Sequence, residues 1–149
     1  MTIRPELIQK LRDKRAKLTD NVSREKLDAL HAKGQLSARE RIGELIAEGS
    51  FQEFGLHAAH NATHFGMSGR ALPADGVIAG TGYVGDTQVA VVSQDFSVVA
   101  GTLGKMQAKK ITRTMQHALK IGVPVVAFKD SGGARIQDCL LYTSPSPRD

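Results

Sequence analysis

The chain of 149 residues contains one cysteine, Cys139, and no tryptophan. A single thiol closes no internal disulfide and builds no zinc ribbon. Aromatic residues are scarce at 5%, and none falls among residues 1–41. The most basic part of the chain therefore has no ring on which a nucleic-acid base could stack, and no nucleic-acid reader motif is present. No apolar run approaches the roughly 18 residues of a membrane-spanning helix, so no membrane partner is expected. Met1, Thr2, Ile3, Arg4, Pro5 and Glu6 hold no apolar signal region, which makes the cytoplasm the expected location.

What is present is the composition of a globular chain, 41% hydrophobic and 23% charged. The net charge of +5 is concentrated at one end: residues 1–41 hold 11 Lys or Arg against 6 Asp or Glu, and the remainder holds 9 of each. Leu7, Ile8, Leu11 and Leu18 give a helical stripe from Glu6 to about Leu18, broken at Thr19, Asp20 and Asn21. Leu27 and Leu30 mark a second helix ending near Gly34. Ser37 with Glu40 three residues on is a capping box, and Ile42, Leu45 and Ile46 supply the apolar face of a third helix that stops before Gly49. Residues 1–50 thus read as a helical N-terminal arm with a solvated basic surface.

From Phe51 the period changes. Residues 51–54 form a short strand candidate, and a loop rich in His, Gly and Ala follows to about Asp75. Residues 76–84 and 88–93 are apolar, β-branched runs joined at Gly85 and Asp86, a hairpin turn. Leu103, Met106, Ile111, Met115, Ala118 and Leu119 lie on one broad helical face, closed by Gly122 before a strand at 123–128. A long helix between two apolar strands predicts a crossover in an α/β layer.

That last strand stops at Lys129 and Asp130, and Ser131, Gly132, Gly133 and Ala134 follow. Two adjacent glycines without Cβ atoms let a ligand approach the main chain closely. If Ala134 opens a helix, its first-turn amides add partial positive charge, an arrangement suited to an oxygen that becomes negative during a reaction. A tight strand-to-helix turn without a ligand is the alternative that these residues alone leave open.

Several other motifs fail on context. Gly80, Gly82 and Gly85 match the dinucleotide fingerprint G-x-G-x-x-G, yet a turn and a strand follow where a helix is required. The stretch from Gly101 to Met106 imitates a phosphate loop, but Val99 replaces its first glycine and Met106 its metal-binding hydroxyl. His57, His60 and His64 have no Cys or carboxylate between them, so they read as surface histidines and no metal is expected. Asn61-Ala62-Thr63 is a glycosylation sequon in form only. Ser131 is a candidate nucleophile without an identifiable base, and capping of the following turn is the favoured role.

Ser131-Gly132-Gly133-Ala134-Arg135-Ile136-Gln137 resembles the signature of the carboxyltransferase (β) subunits of biotin-dependent acyl-CoA carboxylases, the propionyl-CoA and acetyl-CoA carboxylase type. The likeness extends through Ser37 to Ile42, Gly49-Ser50-Phe51, Ser93 to Val98, Gly101 and Gly104, and covers roughly residues 25–138 in family order. It implies an α/β fold: the helical arm followed by a crotonase-like (ClpP-like) β-β-α layered domain at 51–138, incomplete here. It implies carboxyl transfer from carboxybiotin, held on a separate carrier domain or subunit, to the α carbon of an acyl-CoA through an enolate. The family's oxyanion amides carry over to Gly132 and Gly133, and acyl-CoA contacts to Ala100, Gly101, Ser131 and Ala134. Ala100 stands where many relatives carry glycine. The basic arm then has a second possible role, docking CoA phosphates or a partner subunit, and Lys109, Lys110 and Arg113 read as flanking the apolar stripe in preference to meeting phosphate.

The resemblance also implies a biotin carboxylase or biotin carrier partner and a homo-hexameric β core at full length. Residues 139–149 resemble a translated sequencing adapter, so natural sequence is expected to end inside codon 138 and the 149-residue chain to be inactive alone. Two other classes stay open: a crotonase-like acyl-CoA hydratase or hydrolase, and a non-enzymatic basic helical adaptor.

Overall fold

The computed structural model describes residues 4–20 and 22–139. Part of the chain start and residues 140–149 of the suspected tail therefore lie outside the described residues. Three helices come first: α1 (Pro5–Thr19), α2 (Arg24–His31) and α3 (Ala38–Leu45). They are followed by β1 (Gln52–Glu53), the hairpin β2 (Val77–Val84) and β3 (Thr87–Gln94), α4 (Lys105–Ile121), β4 (Val125–Phe128) and the short α5 (Ile136–Cys139). Among the described residues, no helix is long and apolar enough to cross a membrane.

The sheet has the order β1-β2-β3-β4. β1 and β3 run antiparallel to β2, while β4 lies parallel to β3, with Ala90 opposite Val125 and Ser93 opposite Phe128. A parallel neighbour cannot be reached by a hairpin, and α4 supplies the crossover. The β2–β3 turn is the expected two-residue connection, since Val84 pairs with Thr87 across Gly85 and Asp86.

Successive side chains on β2 point to opposite faces, and each face has its own helix. Ile78, with Val89 and Val91, packs against Ala38, Ile42 and Ile46 of the α3 region. Val77 and Ala79, with Val92, pack against Ile111 of α4. The capping box that starts α3 is formed: Glu40 N–H donates to Ser37 Oγ at 3.3 Å and Ser37 N–H to Glu40 Oε2 at 2.8 Å. Glu40's carboxyl is held below its ordinary range, first by that Ser37 amide. The false dinucleotide fingerprint has a packing explanation, because a Cβ on Gly80 would collide with the Gln52 carbonyl of β1 and one on Gly82 with Ile46.

α4 corrects the expected stripe. Its buried residues are Gln107, Lys110, Ile111, Thr114 and Ala118, while Met115 is 42% and Leu119 85% exposed. Leu103 precedes the helix and pairs with Ala134 in an isolated bridge. The residues at 107, 111, 114 and 118 follow the 3.6-residue period as faithfully as the apolar set does. Polar side chains take the buried line because main-chain carbonyls meet them there. Lys110, read as a flanking residue, is buried: its Nζ donates to Ala74 O at 3.0 Å and Val77 O at 2.6 Å.

Candidate functional site

β3 and β4 run parallel, so the segments leaving their C-terminal ends emerge side by side. The first, after β3, turns through Val99, Ala100 and Gly101, all in the left-handed region with φ of +49°, +52° and +62°. The second, after β4, runs through Asp130 and Ser131 to Gly132 and Gly133, the last with φ +114°. Positive φ is costly for residues with a Cβ, and tertiary contacts must hold the first turn in place.

Those contacts are main-chain hydrogen bonds between the two turns. Gly132 N–H donates to Ala100 O at 2.8 Å, Leu103 N–H to Gly133 O at 2.8 Å, and Arg135 N–H to Leu103 O at 2.9 Å. The turns approach so closely that a Cβ on Gly101 would collide with the carbonyl oxygen of Asp130. The structure thus brings together all six residues singled out from the sequence: Ala100, Gly101, Ser131, Gly132, Gly133 and Ala134. Residues 131–134 are exposed, and no atom lies within 4 Å of where a Cβ on Gly133 would stand.

Ser131 spans its own turn. Its Oγ accepts the Gly133 N–H at 3.2 Å and lies 3.3 Å from Gly133 O, which is the capping geometry, and no His or carboxylate side chain stands among its bonded partners. The helix opens later than the conditional reading required: α5 begins at Ile136, and Ala134 is in the bridge to Leu103. Asp130 is tied to α3 through Arg41 Nη2, which donates to its carboxylate at 2.8 Å, and its own N–H donates to Gln94 Oε1 at 3.2 Å.

Beneath the turns lies a buried polar cluster with no apolar periodicity to announce it. Arg135 is 1% exposed and pairs with the fully buried Asp75, while its Nη2 donates to Thr102 O at 3.1 Å. Asp75 Oδ2 also accepts the Gln107 N–H at 2.8 Å, and Gln107 Nε2 donates to Gly76 O at 2.9 Å and Gly101 O at 3.4 Å. Nearby, burial pushes the Lys110 ammonium down to about 8, opposed by the charges of Glu53 and Asp75. Of this cluster, the sequence signalled only Arg135, by its place inside the Gly-Gly motif. The loop histidines are apart from it; His60 Nε2 meets Arg70 O at 2.7 Å. Among the described residues no group of three or more His, Cys, Asp or Glu side chains is placed to hold a metal.

The carboxyl transferase domain family matches residues 29–143. The chain is 41% identical over 140 residues to methylmalonyl-CoA decarboxylase subunit alpha of Propionigenium modestum, covering 94% of this chain and 27% of that protein. It is 50% identical over 108 residues to the propionyl-CoA carboxylase beta chain of Saccharopolyspora erythraea, covering 72% and 20%. A transcarboxylase 12S structure, described as a hexamer assembly with methylmalonyl-coenzyme A and methylmalonic acid bound, superposes with a TM-score of 0.87 at 36% identity over 94% of this chain and 28% of that one. The chain therefore spans about a quarter of the length of these relatives. With its helical N-terminus, its four-stranded sheet and its paired turns, the chain belongs to the carboxyl transferase domain family and has that family's crotonase-like fold.

Proposed function

We propose that the chain is the N-terminal part of a carboxyltransferase subunit of a biotin-dependent acyl-CoA carboxylase, acting where the turn at 99–101 meets Gly132 and Gly133. The observation that carries this reading is the abutment of those turns, which offers exposed main chain with open space beside Gly133. In the reaction the α C–H bond of the acyl-CoA breaks and the enolate carbon bonds the carboxyl carbon; the proton would pass to the biotin nitrogen that gives up that carboxyl group. Negative charge grows on the thioester oxygen. Preorganised amides aimed at that oxygen are each worth roughly 10²–10³ in rate, about 3–4 kcal/mol.

Gly132 and Gly133 supply those amides. Before substrate binds, Gly132 N–H rests on Ala100 O and Gly133 N–H on Ser131 Oγ, and each leaves that acceptor to meet the substrate oxygen. The Ser131 hydroxyl can rotate away, freeing Gly133 N–H for an incoming oxygen. Ala100, Gly101, Ser131 and Ala134 line the approach of the acyl-CoA. Biotin, on a separate carrier domain or subunit, supplies the carboxyl group when bound. In full-length form the protein works with a biotin carboxylase or carrier partner, as a homo-hexamer in the cytoplasm.

The test is a chimera in which residues 29–138 replace the matching stretch of the Saccharopolyspora erythraea propionyl-CoA carboxylase beta chain. With biotinylated carrier, ATP, bicarbonate and a panel of acyl-CoAs, carboxylated product is expected. Gly133→Val should lower kcat by roughly 10²–10³. An inactive chimera, or a valine variant of full activity, would remove the reading.

A further inference from the structure

The buried cluster beneath the turns does more than fill the core. α4 begins at Lys105 with Gly104 before it, a residue with no side chain to cap the helix. Its first amides are satisfied from elsewhere, Lys105 N–H by Asp138 Oδ2 at 2.8 Å and Gln107 N–H by Asp75 Oδ2 at 2.8 Å. Carboxylates suit a helix N-terminus. A guanidinium does not, yet Arg135 lies fully buried between these two, paired with Asp75 and 3.7 Å from Asp138. Room is made for it at Gly104, where a Cβ would collide with Arg135 Nη1.

The guanidinium is bonded to both sides of the site. One nitrogen holds Asp75, which through Gln107 is linked to Gly76 O and Gly101 O; the other holds Thr102 O. Its own backbone continues from Gly133 and Ala134, and its N–H is locked to Leu103 O. We propose that Arg135 is a positioning residue: its fork, anchored on Asp75 and Thr102 O, fixes Gly132 and Gly133 relative to the 99–102 turn before a ligand binds. This rests on the reading of Gly132 and Gly133 as the oxygen-binding pair. Lysine would keep the charge but presents a point where arginine presents a planar fork, so it can satisfy Asp75 or Thr102 O with poorer geometry at the other.

Arg135→Lys tests this in two ways. In the 149-residue chain, amide hydrogen exchange is followed at Gly132, bonded across the turns, and at Val91 in the buried centre of β3. At least tenfold faster exchange at Gly132 with Val91 unchanged is expected. No change at Gly132, or equal acceleration at both, would reduce Arg135 to an ordinary structural residue and overturn the proposal. In the chimera, kcat should fall roughly 10- to 100-fold with the acyl-CoA KM within about twofold, as expected for misplaced but still accessible groups. Unaltered kcat overturns the proposal as well. If the unsubstituted chimera transfers no carboxyl group, the functional reading fails, and the exchange experiment alone decides the role of Arg135.

Discussion

Ala100 occupies a left-handed position, φ +52°, beside Gly101 at φ +62°. The two respond oppositely to exchange of alanine and glycine. For Ala100→Gly, relief of left-handed strain of roughly 1–2 kcal/mol is partly offset by the extra freedom of glycine in the unfolded chain, about 0.5–1 kcal/mol. The net expectation is a gain of about 0–1.5 kcal/mol. Gly101→Ala instead drives a methyl group into the carbonyl of Asp130, a residue tied down by Gln94 and Arg41, and should cost about 1–3 kcal/mol. Urea midpoints for the two variants check both directions. A loss of about 1 kcal/mol in Ala100→Gly, as in an exposed helix, would mean that the turn is not strained.

At the scale of elements, most of the order was legible because it rests on local signals. Ser37 and Glu40 announced the start of α3, and Gly85-Asp86 between β-branched runs announced the hairpin. α4 was located correctly, and Ile111 and Ala118 of the expected stripe are buried, but Met115 and Leu119 are not. Hydrophobicity points to Met115 and Leu119, whereas the buried line runs through Gln107, Ile111, Thr114 and Ala118. Polarity alone cannot reveal that Gly76 O and Gly101 O would satisfy Gln107, or that Thr114 Oγ1 would return to Lys110 O at 2.9 Å, since those partners are far away in sequence or belong to the helix itself. In the same way the paired turns were legible at Gly132 and Gly133, but Asp75, which lies 60 residues before Arg135, carried no sequence sign of its role. This facing predicts a contrast in thermal or urea denaturation of the chain. Leu119→Gln, on the exposed side, should change stability by no more than about 0.5 kcal/mol, while Ile111→Ala should cost about 2–4 kcal/mol by opening a cavity beneath β2 and β3. Equal costs would return the helix to the orientation its hydrophobicity suggests.

For the molecule as a whole, the charge balance conceals a buried cation that couples stability to pH. Lys110 is 7% exposed and hydrogen-bonded to the carbonyls of Ala74 and Val77, one in the strained turn before β2 and one at the first residue of that strand. Desolvation dominates its environment and lowers its pKa from 10.5 to about 8, against the opposing pull of Glu53 and Asp75. Between those two values the unfolded chain binds the proton and the folded chain releases it, so stability must rise with pH across that window. Below pH 8 both states are protonated and the fold bears the full cost of burying the charge. The fall from 10.5 to about 8 caps the rise at roughly 3–4 kcal/mol. The informative quantity is the difference between the native chain and Lys110→Met, followed by urea denaturation from pH 7 to 10.5. That difference should move in favour of the native chain as pH rises above 8. A difference independent of pH would show that the two carbonyls and the nearby carboxylates compensate the burial of Lys110 completely.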